Sequence, residues 1–207
     1  MSLSNFKLKD VLNTAVVVAA LGYFVDVYDL VLFLIVGVPS LKDLGAFDAD
    51  MANFQYLLNL QMIGMLVGGL FWGVLGDRKG RLSVLFGSII TYSIANVANG
   101  FVSEISNLTH IAPLSTYGIL RFVAGFGLAG ELGAGVTLVS ESMSKETRGY
   151  GTMLIASIGV IGAVVAALVG NNLGWQASYF IGGGLGFSLL LLRVGVFESV
   201  TKLFRFA

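Results

Sequence analysis

The chain has 207 residues, 56% of them hydrophobic and only 12% charged, with zero formal net charge, one histidine and no cysteine. A soluble domain carries roughly 25% charged residues, so this chain cannot cover a globule in water, and its mean hydropathy of +0.87 suits lipid as solvent. Neutrality excludes a basic nucleic-acid face, the lack of cysteine excludes disulfides and thiolate chemistry, and His110 alone cannot build a histidine metal cluster.

The polar start "MSLSNFKLKD" is too long, and lacks the small-residue cleavage site, to read as a cleaved signal peptide. The first helix is therefore expected to be retained. A bilayer core takes about 20 apolar residues as helix, and six segments meet that length: 11–37, 51–75, 83–102, 114–140, 151–170 and 176–196. They predict one all-α, six-helix transmembrane domain over residues 1–207, with no cofactor and no metal. Pro39 is expected to close the first span and Pro113 to open the fourth, because proline cannot donate a backbone hydrogen bond.

With six spans, both termini share one side. That side holds Lys7, Lys9, Arg78, Lys79, Arg81, Lys145, Arg148, Arg193, Lys202 and Arg205, and the other side only Lys42. Lys and Arg mark the cytoplasmic face, so the sequence predicts an integral protein of the inner or plasma membrane with both termini cytoplasmic.

Small residues recur inside the spans. Gly64, Gly68 and Gly69, Gly73 form stripes in span two, and Gly159, Ala163, Ala167 lie beside Gly162, Ala166, Gly170 in span five. Span four contains G-x-G-x-x-G at Gly125, Gly127 and Gly130. A dinucleotide fingerprint needs a strand before it and a turn at the glycines. Here apolar helix flanks both sides, and close helix–helix approach is the better reading.

Four ionisable residues lie well inside spans: Asp26 and Asp29 in span one, Arg121 and Glu131 in span four. Such groups by default face a cavity or a partner. At 1.5 Å per residue, Asp29 lies roughly 7–8 Å, and Arg121 about 9 Å, from the centre of its span, both toward the outside. An Asp29–Arg121 pair is therefore expected, either as a lock between spans one and four or as a site where Arg121 meets an anionic solute group. Glu131 lies about 6 Å on the cytoplasmic side, where no cation is expected to match it. An unpaired carboxylate in a poorly solvated site tends to hold a proton, which makes Glu131 the expected coupling residue. Asp26 is expected one turn below Asp29, near the outer water boundary. Tyr23, Tyr28, Asn59, Gln61, Tyr92, Asn96, Asn99 and Tyr117 offer further hydrogen-bonding groups.

Three stretches together resemble the N-terminal half of the major facilitator superfamily. They are "GVLGDRKGRLSVLFG" after span two, "RFVAGFGLAGELG" in span four and "ESMSKETRG" after it. Within "YFVDVYDLVLF", Tyr28-Asp29 is similar to the metabolite–proton symporter branch. The resemblance implies a half of a twelve-helix fold, itself a 3+3 inverted repeat. It also implies a cytoplasmic latch formed by Gly76, Asp77, Arg78, Gly80, Arg81, Glu141 and Arg148, which stabilises the outward-open state. The expected function is secondary active transport of a small polar metabolite by alternating access, with proton coupling. The substrate and proton pathway is expected to use Asp26, Tyr28, Asp29, Arg121 and Glu131. The expected partner is a second copy or a missing C-terminal half, within membrane lipid. An efflux antiporter of the same fold and a non-transporting half-module are the alternatives. An enzyme is not expected, since no nucleophile–base or metal set is found.

Overall fold

The computed structural model describes residues 14–144 and 147–205, and every regular element among them is helical. The helices are α1 (Thr14–Asp43), α2 (Ala52–Lys79), α3 (Arg81–Gly100), α4 (Val102–Thr109), α5 (Pro113–Ser142), α6 (Arg148–Asn172) and α7 (Trp175–Arg205). Four of them, α1, α2, α6 and α7, are each long and apolar enough to cross a membrane, and α3 with α4 qualifies as one segment bent by 81°. The 30 residues of α5 reach about 45 Å at 1.5 Å per residue.

Pro113 opens α5 as expected. Pro39, by contrast, does not close α1, which continues to Asp43. A proline removes one helical hydrogen bond and crowds the turn before it. Ser40 Oγ donates to the Gly37 carbonyl at 2.9 Å. The extra turn brings Asp43 to Trp175 at the start of α7, whose Nε1 donates to Asp43 Oδ2 at 2.7 Å. The third expected span stops at Gly100, and α7 extends nine residues beyond the expected boundary at 196, to Arg205.

In the packing, α2 lies on α5 and α1 lies on α6; α3 contacts both α5 and α7, and α1 also touches α5 and α7. Glycines set the closest approaches. A Cβ on Gly64 or Gly68 would run into the backbone of Phe122 or Phe126 of α5, and one on Gly125 into the backbone of Gln61. Gly127 and Gly130 likewise face Ser88, with Tyr92 beyond Gly127 and Trp72 beyond Gly130. The G-x-G-x-x-G run is thus a packing stripe between α2, α3 and α5. Gly162 holds α6 against the backbone of Phe24.

The polarity of the molecule is inverted. Leu66, Leu70, Val160, Leu168 and Leu191 are exposed, while Asp26, Asp29, Gln61, Arg121, Glu131 and Arg193 are buried. Apolar side chains outside and charges inside suit a hydrocarbon solvent, in which unpaired polar groups are costly.

Candidate functional site

One face of α1 organises the site. Gly22, Asp26, Asp29 and Phe33 follow one another at spacings of three and four residues, which places them in line along a helix. Arg121 and Glu131 of α5 meet this face at opposite ends. Glu131 and Arg193 lie against Gly22, and Arg121 lies beside Asp29 and Phe33.

The upper cluster is a three-way contact. Arg121 Nη2 donates to Asp29 Oδ2 at 3.3 Å and to Gln61 Oε1 at 2.5 Å, and Gln61 Nε2 donates to the same Asp29 oxygen at 3.3 Å. The guanidinium carbon stands 4.4 Å from the centre of the Phe33 ring and 5.6 Å from that of Tyr179. A cation over desolvated ring faces gains further electrostatic stabilisation. All three polar residues are fully buried, yet Arg121 Nε and Nη1 and Asp29 Oδ1 have no hydrogen-bond partner among the described residues. The guanidinium therefore keeps two buried spare donors, Nε and Nη1, on either side of the engaged Nη2, and spare charged donors suit an anionic oxygen.

The lower cluster corrects the expectation that Glu131 has no cation at its depth. Arg193 Nη1 donates to Glu131 Oε2 at 2.7 Å, and Nη2 donates to Oε1. Arg193 Nη1 also reaches the Leu85 carbonyl of α3 at 3.3 Å. Arg193 is 1% exposed, so it is not a cytoplasmic surface charge as the loop count assumed. The physical reason is register: Glu131 and Arg193 each stand 18 residues after the first residue of their helix, Pro113 and Trp175, so they lie at matched depth. Gly22 completes the arrangement, because any Cβ there would collide with the Glu131 carboxylate and crowd the Arg193 guanidinium.

Asp26 sits between the two clusters. It is 1% exposed, which places it in the interior and not at an outer water boundary, and its Oδ2 has no partner. Glu131, Arg193 and Asp29 all lie within electrostatic reach of it. Among the described residues, three buried carboxylates thus face two buried guanidinium groups, and Asp26 is the one that forms no ion pair.

Around the clusters, Tyr28 acts as a strut, its hydroxyl donating to the Ser178 carbonyl of α7 at 3.0 Å. The Tyr117 hydroxyl bridges Tyr179 at 2.5 Å and Ser40 at 3.0 Å. The Tyr92 hydroxyl and both polar atoms of Asn96 are buried without partners. Asn99 bonds the Ala95 carbonyl of its own helix, and Asn59 is exposed.

The expected latch residues lie apart from this site. Gly76 and Gly80 frame the α2–α3 turn, where Gly80 takes φ 85° and its N–H donates to Gly76 O at 2.9 Å. Asp77, Arg78 and Arg148 are exposed, and none of them forms an ion pair among the described residues. The side chains of Arg81 and Glu141 lie outside the described residues, as do Lys7, Lys9 and Lys145 and the side chains of Lys202 and Arg205.

An all-helical chain with lipid-type outer surface and paired charges in its interior is an integral membrane protein. The chain belongs to the Major Facilitator Superfamily, whose family model matches residues 15–203. It is 32% identical over 187 residues to a putative niacin/nicotinamide transporter of Bacillus subtilis, covering 88% of this chain and 44% of that protein. It is 33% identical to the niacin transporter of Acinetobacter baylyi, covering 90% of this chain and 40% of the relative. A low affinity inorganic phosphate transporter of Lotus japonicus is 32% identical over 80% of this chain and 33% of its own length. The chain thus spans less than half the length of these relatives, which are transporters and not enzymes. No solved structure matches it.

Proposed function

We propose that the chain forms a six-helix, 3+3 half of a major-facilitator transporter and moves a small anionic metabolite by alternating access, coupled to protons. The observation that carries this reading is the Asp29–Gln61–Arg121 cluster, whose guanidinium keeps two buried donors without a partner among the described residues. Niacin and inorganic phosphate, named in the relatives, share an acidic group that such charged donors recognise.

The helix contacts support the repeat. Exchanging α1, α2 and α3 with α5, α6 and α7 maps the α2–α5 contact onto α1–α6 and the α3–α5 contact onto α1–α7. In this reading α3 forms one span and α5 another, residues 14–205 act as one transmembrane domain, and both termini are cytoplasmic. The exposed apolar faces of α2 and α6 receive a second six-helix half, which we take to be a second copy of the chain. Asp77, Arg78, Arg81, Glu141 and Arg148, with Gly76 and Gly80 at the turn, form the cytoplasmic latch.

Asp26 replaces Glu131 as the proton carrier, because Glu131 is matched by Arg193 and Asp26 is not. An unmatched carboxylate in a desolvated interior favours its protonated form, and a change in hydration between conformations then drives release. The test is uptake of labelled nicotinate and phosphate by sealed vesicles holding the chain, under an inward proton gradient. Uptake that collapses with the gradient supports the proposal. Accumulation no greater than in protein-free vesicles for both anions counts against it.

A further inference from the structure

Where α3 ends, the chain turns through 81° into the eight-residue α4. With α3 standing across the bilayer, α4 lies nearly in the membrane plane, the placement of an interfacial helix. Val102 and Ser106 are buried, while Phe101 and Leu108 are exposed, Leu108 by 82%. Inside the bend, Ile94, Val97 and Ala98 of α3, Ile105 and Leu108 of α4, and Phe187 of α7 line a groove of about 480 Å³. That volume falls within the roughly 300–1,000 Å³ of sites that take one organic molecule. The lining is apolar save for Glu104, whose carboxylate is exposed and forms no ion pair among the described residues.

We propose that this groove holds an acyl chain of a membrane lipid whose primary-amine headgroup is bound by Glu104. The apolar wall offers nothing to water, and exposed Leu108 and Phe101 open it toward lipid. An acid at the rim of an apolar slot complements an amphiphile with a cationic head. A primary ammonium donates three hydrogen bonds and docks on a carboxylate. A trimethylated head donates none, and an anionic head is repelled. Glu104 therefore sorts phosphatidylethanolamine from phosphatidylcholine and phosphatidylglycerol, while Ala98, Ile105 and Leu108 hold the chain. The inference rests on the membrane placement and not on the proposed transport.

The test is native mass spectrometry of the purified chain released from nanodiscs that hold the three lipids in equal amounts. The parent protein is expected to retain phosphatidylethanolamine about fivefold over phosphatidylcholine, the size that an exposed ion pair supports. Glu104→Gln keeps a bound lipid but loses the preference. Ala98→Trp fills the groove and Leu108→Gln breaks its wall, so each retains less lipid; Leu108 is exposed enough for its variant to fold whether or not the Trp variant does. Equal retention of the ethanolamine and choline lipids by the parent overturns the headgroup assignment. Unchanged lipid retention in Leu108→Gln overturns the groove itself.

Discussion

Arg121 is held by three kinds of contact: an ion pair to Asp29, a hydrogen bond to Gln61 and the ring faces of Phe33 and Tyr179. Removing the guanidinium leaves Asp29 buried and uncompensated, which costs about 3–5 kcal/mol for such pairs. Arg121→Ala is therefore expected to abolish anion uptake and to lower the unfolding temperature in detergent. Arg121→Lys keeps a point charge but not the planar fork, so it should retain part of the uptake. If both variants transport at the parental rate, Arg121 neither binds solute nor completes an essential pair. Glu131 carries a different expectation. Glu131→Gln strands Arg193 without its carboxylate, so the variant should lose stability, measured as a lower thermal midpoint, by more than Asp26→Asn does. A midpoint as high as that of Asp26→Asn would mean that the Glu131–Arg193 pair is not what holds α5 to α7.

The first pair was legible in the sequence, since Asp29 and Arg121 stand at matched depths on spans with clear centres. The second was not, although its signal was present. Arg193 lies three residues from the apolar boundary at 196, so it counted as a cytoplasmic loop charge, and only the distance from each helix start reveals its register with Glu131. Gln61 was legible as a polar residue in a span. Its role as the third member of the cluster depends on the glycine-mediated approach of α2 and α5, which no single-helix reading contains.

At the level of the element, the two glycine stripes of α2 make a controlled comparison. Gly64 and Gly68 face the backbone of α5, which cannot move aside, whereas Gly69 and Gly73 have open space where a Cβ would point. Gly64→Leu and Gly68→Leu should separate α2 from α5, with the 1–3 kcal/mol or more typical of overpacking. Gly69→Leu and Gly73→Leu should leave the thermal midpoint close to the parent's. Equal destabilisation of all four would contradict the packing described here. Sequence spacing showed both stripes but not which one packs within the chain, because both share the same period. The break at Phe101, where the N–H turns to Ala98 O, and the continuation of α1 through Pro39 were also hidden, because both depend on local backbone geometry that the residue types alone do not set.

For the whole molecule, the membrane class and the family were legible from charge content, span lengths and the Asp77 loop. On the proposed reading, the way a solute crosses depends on a second half and on a switch. Asp77 stands exposed at the α2–α3 turn. If it is part of a latch, Asp77→Asn should shift the balance away from the outward-open state. Cysteines placed near the outer ends of α1 and α5 would then label more slowly from outside, and the chain has no native cysteine to interfere. An unchanged labelling pattern would argue against the latch. The central claim is that a buried, unmatched Asp26 couples anion movement to protons. The most direct measurement is the internal pH of vesicles that hold the protein and a trapped pH indicator, with no imposed gradient, when nicotinate or phosphate is added outside. The account predicts that the anion it carries acidifies the interior, and that Asp26→Asn abolishes the acidification while still exchanging labelled anion. Anion entry without any change in internal pH, or acidification that persists in Asp26→Asn, would contradict it.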